Sequence, residues 1–332
     1  MTMSAGNGDE RTRAYPLLGS IQNSVGYGFL GNEAVSAIAH RLRVRTVTVP
    51  TVYAGARGGV EGRMQFAIDE QTFKRGVDFL IERDPAVLVI GYLAHPDQVE
   101  IVAGALNRYA GLVVLDPVLG SYERGLNVPA ETARRIRDLL LPRAQVVTPN
   151  RFEAEVLLDL TRTKEAGERT FLDGLASKGP GIAVVTSFAR DAERRRATSI
   201  FSNGYVYERI SSPYHSSLQG YGAGDVLAGG IAVMLALGAT PWAATVLATA
   251  LASLAVERTT GYGAATADPV AALDLFKPLS YLSDGAAARY AERFGVTSTP
   301  IVAKDGEGAR LRFGSPKNLL EGAPAEPARP PR

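Results

Sequence analysis

Short apolar runs separated by helical patterns recur along most of this chain, and that alternation restricts the fold more than any other feature. Strands are expected at Leu17–Gln22, Arg45–Tyr53, Ala86–Ile90, Leu112–Leu115, Gln145–Val147 and Ile182–Thr186. Several of these runs are continuously apolar, as strands buried on both faces must be. Helices are expected between them, at Gly31–Arg41, Gln71–Glu82, Pro96–Tyr109, Pro129–Leu140, Arg151–Leu158 and Lys164–Lys178. The pattern predicts an α/β fold, a mostly parallel central sheet with helices on both faces. Later the pattern changes: "ATSIF" and "YVYERI" flank Asn203-Gly204, which suits a hairpin and predicts late antiparallel strands at the sheet edge. Two Ala-rich helices follow, the second starting at Thr240 and Pro241, an N-cap and a proline at the first helical position. Residues 1–15 and the Pro-rich end are expected to be disordered. A single domain is expected over 16–280, with a C-terminal extension at 281–332 whose patterning is too weak to assign.

Composition removes whole classes of function. There is no cysteine, so disulfides and thiolate chemistry are excluded. The three histidines, His40, His95 and His215, are far apart in sequence, which argues against a His-rich metal site. A net charge of +2 gives no reason to expect nucleic acid or an anionic membrane as partner. No apolar run is long enough to span a bilayer, and the polar first fifteen residues lack a signal-peptide core. A cytoplasmic protein acting on a small-molecule substrate is the expectation.

Two glycine clusters compete as phosphate sites. The first, "SVGYGFLG", fits G-x-G-x-x-G through Gly26, Gly28 and Gly31. It fails the dinucleotide test, because no acidic residue closes the next strand to hold a ribose. It reads as a permissive strand-to-helix turn that still lies where ligands of open α/β sheets bind. The second, "QGYGAGDVLAGG", runs Gly220, Gly222 and Gly224 straight into a helix whose first polar residue is Asp225. A helix start offers unpaired N–H donors and partial positive charge, and glycines let a phosphate approach them closely. The backbone of Gly222, Ala223 and Gly224 is therefore a candidate anion hole. Asp225 is the candidate base, able to take a proton from a hydroxyl that attacks phosphorus. The plainer alternative is that Asp225 only caps the helix.

Three strand ends deliver polar groups to the same edge. "VVLDPVLG" places Asp116 there, "VVTPNRFEAEVL" places Thr148, Asn150 and Glu153, and "IAVVTSF" places Thr186 and Ser187. Asp116 and Glu153 could hold Mg²⁺, directly or through water, beside a triphosphate. An ordinary Asp-Pro turn and a solvated helix glutamate are the alternatives.

Taken with "IQNSVGYGFLGNEAV", "GYL" and "GAGD", these segments resemble the ribokinase superfamily, specifically its pyridoxal kinase branch, over roughly residues 16–275. The resemblance implies transfer of the γ-phosphate of ATP to a primary hydroxyl with Mg²⁺, Asp225 as base, and an ATP and metal site lined by Asp116, Thr148, Asn150, Glu153, Thr186 and Ser187. A homodimer is implied as well. The departures fall on the vitamin side. Asn23 stands where the family has serine, and "TVYAGARG" replaces the family's flap sequence, putting Arg57 where a histidine is usual. Ser121 replaces an acidic residue often found after "DPVLG", while Tyr92 remains where the family places a tyrosine near the ring. Asn23, Arg57 and Tyr92 are thus the candidate acceptor-binding residues. The acceptor is expected to be pyridoxal or a related vitamer, or alternatively a hydroxymethyl-pyrimidine or sugar. A non-catalytic binder that kept the fold is the remaining alternative.

Overall fold

The structure, a computed structural model, describes residues 15–62, 64–160, 166–214, 221–259 and 266–302. The tails expected to be disordered, Gly220 and His215, and the start of the helix expected from Lys164 lie outside these residues.

Six strands form the parallel heart of the sheet: β1 (Leu17–Val25), β2 (Arg45–Ala54), β4 (Val87–Ile90), β5 (Leu112–Leu115), β8 (Val146–Val147) and β9 (Ile182–Asp191). They lie in the order β2-β1-β4-β5-β8-β9. β3 (Gln65–Ala67) adds antiparallel to β2 at one edge. At the other edge β10 (Arg196–Ser202), β11 (Tyr207–Pro213) and β12 (Thr297–Pro300) add antiparallel in turn. A short separate ribbon joins β6 (Gly120–Ser121) to β7 (Gly125–Leu126).

The continuous apolar runs behave as expected of strands covered on both faces. In β4, Val87 and Val89 enter one core while Leu88 and Ile90 enter the other. The first core is closed by α1 (Asn32–Arg41), α7 (Ala223–Ala236), α8 (Pro241–Glu257), α9 (Pro269–Leu275) and α10 (Asp284–Glu292). The second is closed by α2 (Glu70–Glu82), α3 (Pro96–Leu106), α4 (Ala130–Arg135), α5 (Arg151–Leu158) and α6 (Glu168–Ser177). α7 is buried on all sides from Val226 to Leu235, so its amino end is rigidly placed. The chain leaves β1 toward β2 on one side and toward β4 on the other. That reversal of strand order opens a crevice at the carboxyl ends.

Differences from the expected elements have local causes. The helix expected over Pro129–Leu140 becomes α4 followed by a π turn, Ile136–Leu140. Pro142 cannot extend an α ladder because its ring clashes with the carbonyl four residues back, while Ile136 and Leu140 remain buried. The Asn203-Gly204 hairpin is present, but its loop spans 203–206. Only Gly204 takes positive φ there, and the Asn203 side chain accepts the N–H groups of Tyr205 and Val206 instead. Thr240 caps α8 by accepting the Ala243 N–H.

The folded unit also continues past residue 280, closing at Ile301. β12 is wholly exposed apart from its pairing, which is why it carries no apolar signal. Tyr290 of α10 is 5% exposed, stacks on Tyr281 at 3.9 Å and meets Phe276 and Phe294. Its hydroxyl accepts the Lys277 N–H at 2.5 Å. Tyr290→Ala is therefore expected to cost about 3 kcal/mol in urea unfolding. A loss below about 0.5 kcal/mol, the range of surface substitutions, would mean that this segment is dispensable to the fold.

Candidate active site

The second glycine cluster builds the site. Gly222 is the N-cap of α7 with φ 83°, and a Cβ there would sit 2.6 Å from the Phe29 carbonyl oxygen. Only glycine fits both the backbone and the contact. The Tyr221 carbonyl accepts the Ala267 N–H at 2.7 Å, which anchors the loop from the other side. No side chain caps the helix, so the N–H groups at its start are left for an anion.

Asp225 is the third residue of α7, not its cap. Its carboxylate accepts the N–H of Gly31 and its own N–H. The residue is half-buried, next to the exposed Gly224. Burial pushes its pKa up to about 6, the two N–H groups oppose that, and the nearby charge of Glu33 adds to the rise. Gly31, from the first glycine cluster, has φ 54°, and a Cβ on it would stand 2.1 Å from the Asn23 carbonyl oxygen. The first cluster thus supports Asp225 through a backbone donor, a role different from dinucleotide binding.

The acidic strand ends meet this helix start. Asp116 follows β5, and its N–H donates to the Ile90 carbonyl at 2.8 Å. Its Oδ1 accepts the Thr148 hydroxyl at 3.2 Å, and its Oδ2 lies 3.8 Å from where a Cβ on Gly224 would be. Burial, then the charges of Glu153 and Asp225, hold its carboxyl well above the usual range. Glu153 closes a capping box on α5: Asn150 accepts the Glu153 N–H at 3.0 Å, and Glu153 Oε2 accepts the Asn150 N–H at 2.9 Å. Its Oε1 accepts the Gly120 N–H at 3.2 Å, and Asn150 Nδ2 donates to the Gly120 carbonyl at 2.9 Å. Burial raises Glu153 to about 7 against these backbone donors, with the Asp225 charge adding to the rise. Asn150 and Glu153 therefore hold the turn after Asp116 to the start of α5. Thr186 donates its N–H to the Pro149 carbonyl at 2.8 Å, and Ser187 is exposed beside it with φ 47°.

The donor set suits magnesium of a particular kind. Among the described residues no three acidic or histidine side chains cluster at metal-ligand spacing. Both Glu153 oxygens already accept backbone N–H groups, while Asp116 Oδ2 faces the glycine loop. Magnesium keeps several waters and usually takes one or two carboxylates with substrate phosphates. Asp116 fits that coordination, directly or through water, and Glu153 fits a place behind the waters.

The three residues expected on the acceptor side have different surroundings. Asn23 lies against Gly31, its Oδ1 2.8 Å from the position of an added Cβ. Arg57 places its guanidinium 4.1 Å from the Tyr221 ring centroid, beside the glycine loop. Tyr92 packs against the second core, and its carbonyl accepts the Thr51 hydroxyl at 2.8 Å. Beneath them runs a buried network that sequence reading did not select. Asn32 Nδ2 donates to the Gln22 carbonyl (2.9 Å) and to Ser24 Oγ (3.1 Å). The Ser20 hydroxyl donates to Asn32 Oδ1 and accepts from Gln22 Nε2, both at 2.8 Å. Glu33, also unselected, accepts the Val25 N–H at 2.7 Å. Its position two residues past Gly31 was the only available signal.

The chain is similar to pyridoxal kinase PdxY of Rubrobacter xylanophilus, 32% identical over 180 residues, covering 52% of this chain and 62% of that one. It is 35% identical to the pyridoxine/pyridoxal/pyridoxamine kinase of Bordetella bronchiseptica over 181 residues, 47% of this chain and 60% of the relative. These matches thus span about three fifths of those relatives. Among solved structures, the Staphylococcus aureus pyridoxal kinase in complex with AMP-PCP and pyridoxal superposes with TM-score 0.73 at 17% identity, over 87% of this chain and all of that one. An ADP complex of Bacillus subtilis pyridoxal kinase gives 0.69 at 22%, over 79% and 100%. At such identities these neighbours establish the fold. The sequence profile of the phosphomethylpyrimidine kinase family matches residues 37–271, and the chain belongs to that family.

Proposed function

We propose that this protein transfers the γ-phosphate of ATP to the primary hydroxyl of pyridoxal or a related B6 vitamer. The observation that carries the reading is Asp225 held by the Gly31 N–H at the start of α7, beside Asp116. The Bordetella and Rubrobacter relatives and the pyridoxal-bound Staphylococcus structure support the acceptor; the AMP-PCP and ADP complexes support the nucleotide. A hydroxymethyl-pyrimidine is the second reading, favoured by the family profile and by a 25% identical Bacillus subtilis hydroxymethylpyrimidine/phosphomethylpyrimidine kinase. Homodimeric assembly and a cytoplasmic location belong to the same proposal.

The chemistry follows from the chain's own groups. The amides of Gly222, Ala223 and Gly224 receive the oxygens of the transferring group. Asp225, ionised at neutral pH, accepts the acceptor's hydroxyl proton as its oxygen attacks phosphorus. Magnesium, when bound with ATP, neutralises charge on the phosphates, and Asp116 with Glu153 would hold it. Thr148, Asn150, Thr186 and Ser187 line the nucleotide side; Asn23, Tyr92 and Arg57 line the acceptor side.

Asp225→Asn tests the base while keeping its shape. Phosphate transfer should fall roughly 10²- to 10⁴-fold, with ATP binding retained; normal turnover would remove Asp225 from the mechanism. In the native enzyme, kcat/KM should decline on the acid side near pH 6, where Asp225 becomes protonated. The same variant should melt at a higher temperature than the native protein at pH 8. The folded-state pKa is raised, so the native carboxylate is charged at a cost above about 6 and neutral below it. The advantage should shrink as the pH falls through about 6 and vanish only below the carboxyl's ordinary value of 3.8, and an unchanged gap across that range would refute the raised pKa. A panel of pyridoxal, pyridoxine, hydroxymethyl-pyrimidine and ribose with labelled ATP separates the acceptors. Phosphorylation of the sugar alone would end the vitamin assignment, and stoichiometric ATP binding with no product would favour a non-catalytic binder.

A further inference from the structure

Two arginines from different parts of the chain converge on one ring at the edge of the phosphate cradle. Arg57 follows β2, in the connection to the edge strand β3, and its guanidinium carbon is 4.1 Å from the centroid of Tyr221. Arg124 sits in the turn between β6 and β7, and its guanidinium carbon is 5.0 Å from the same centroid. Tyr221 immediately precedes Gly222, the N-cap whose following amides form the cradle. Arg57 also donates to the Gly58 carbonyl at 3.0 Å, while Arg124 is exposed and has no ion pair among the described residues.

A ring face attracts a cation through its quadrupole, but two guanidiniums gathered on one ring repel each other. The arrangement gains most when an anion sits between them. A guanidinium fork matches phosphate oxygens bidentately, which an ammonium does not. The turn carrying Arg124 is fixed to the metal side, because Gly120, at its start, is bonded to both Asn150 and Glu153. The connection carrying Arg57 comes from the acceptor side. The ring between them therefore joins the two sides next to the helix start.

We propose that Arg57 and Arg124 form a two-arginine clamp, parked on Tyr221, that grips the oxygens of the phosphoryl group in flight. The inference rests on the phosphotransferase reading. In the step it serves, the acceptor hydroxyl gives its proton to Asp225 and its oxygen forms the new bond to the γ-phosphorus. The bond from that phosphorus to the β,γ-bridging oxygen breaks, and the electron pair leaves with ADP. The three equatorial oxygens carry charge throughout, and the clamp neutralises it beside the helix amides. Arg57 then serves the phosphate first and the vitamin second.

The test compares Arg57→Ala, Arg124→Ala, the double variant, and the Arg57→Lys and Arg124→Lys pair with the native enzyme. Each alanine variant should lose roughly 10²-fold in kcat, the scale of one removed transition-state donor, with the KM for a neutral acceptor little changed. The lysine variants should recover only part of the loss, since they restore charge without the fork. A second measurement needs no turnover: affinity for ADP with magnesium and aluminium fluoride, relative to ADP with magnesium alone. The native enzyme should gain affinity with the fluoride and the double variant should lose that gain. Native kcat in the double variant overturns the clamp and leaves the kinase reading standing. A defect confined to the KM of an anionic acceptor also overturns it, by assigning the arginines to the acceptor. A native protein that turns over no acceptor yet shows the fluoride gain, lost in the double variant, defeats the kinase assignment while retaining the clamp.

Discussion

The site depends on the contact between two glycine loops. Gly222 fits against the Phe29 carbonyl, and the Gly31 N–H reaches the Asp225 carboxylate. A methyl group on Gly222 would push one loop off the other, and one on Gly31 would run into the Asn23 backbone and displace its own loop. The helix start and the loop that reaches the proposed base are therefore a single unit, locked by backbone atoms. Side-chain rotamers contribute little to that geometry, which lets the base keep its aim while neighbouring side chains change.

The electrostatics of the same unit are unfavourable until ligands arrive. Asp116, Glu153 and Asp225 are each displaced upward by burial, the charges of Glu153 and Asp225 raise Asp116 further, and that of Asp225 raises Glu153, so charge on these groups comes at a cost. Such frustration suits a site that receives a magnesium-bound triphosphate, because the cation repays the desolvation of the carboxylates. Glu153 shows how the cost is limited. Its oxygens are satisfied by the Asn150 and Gly120 N–H groups, so a capping arrangement holds a buried carboxylate that would otherwise destabilise the turn.

Much of the sheet was legible in the sequence because strands covered on both faces leave continuous apolar runs, as in "VLVI" and "LVVL". The helix boundaries at Thr240-Pro241 and Asn150 were legible because caps are local chemistry. Asn150 and Glu153, three residues apart, even carried the capping-box spacing. What escaped was non-local or unpatterned. β12 is an exposed edge strand and needs no apolar alternation. Arg124, Tyr221 and Glu33 acquire meaning only through contacts with segments far away in sequence. Arg57 was visible as a departure, but no local signal tells which aromatic ring a guanidinium will choose.

The division between the intact and the altered halves of the site has a physical basis. In the proposed site phosphate would be read by main-chain N–H groups, whose signature is glycine spacing, which tolerates no substitution without moving the backbone. In the proposed site the acceptor would be read by side chains at the rim, Asn23 near the end of β1 and Arg57 in the connection to β3. Beneath that rim, Ser20, Gln22 and Asn32 are tied to one another and to the strand ends, with Gln22 Oε1 pressed against Gly91. A buried network of that kind cannot lose one member without leaving another unpaired. Change in the acceptor is thus confined to the layer above it, and an arginine entering that layer next to the cradle falls under the pull of phosphate before that of any neutral alcohol.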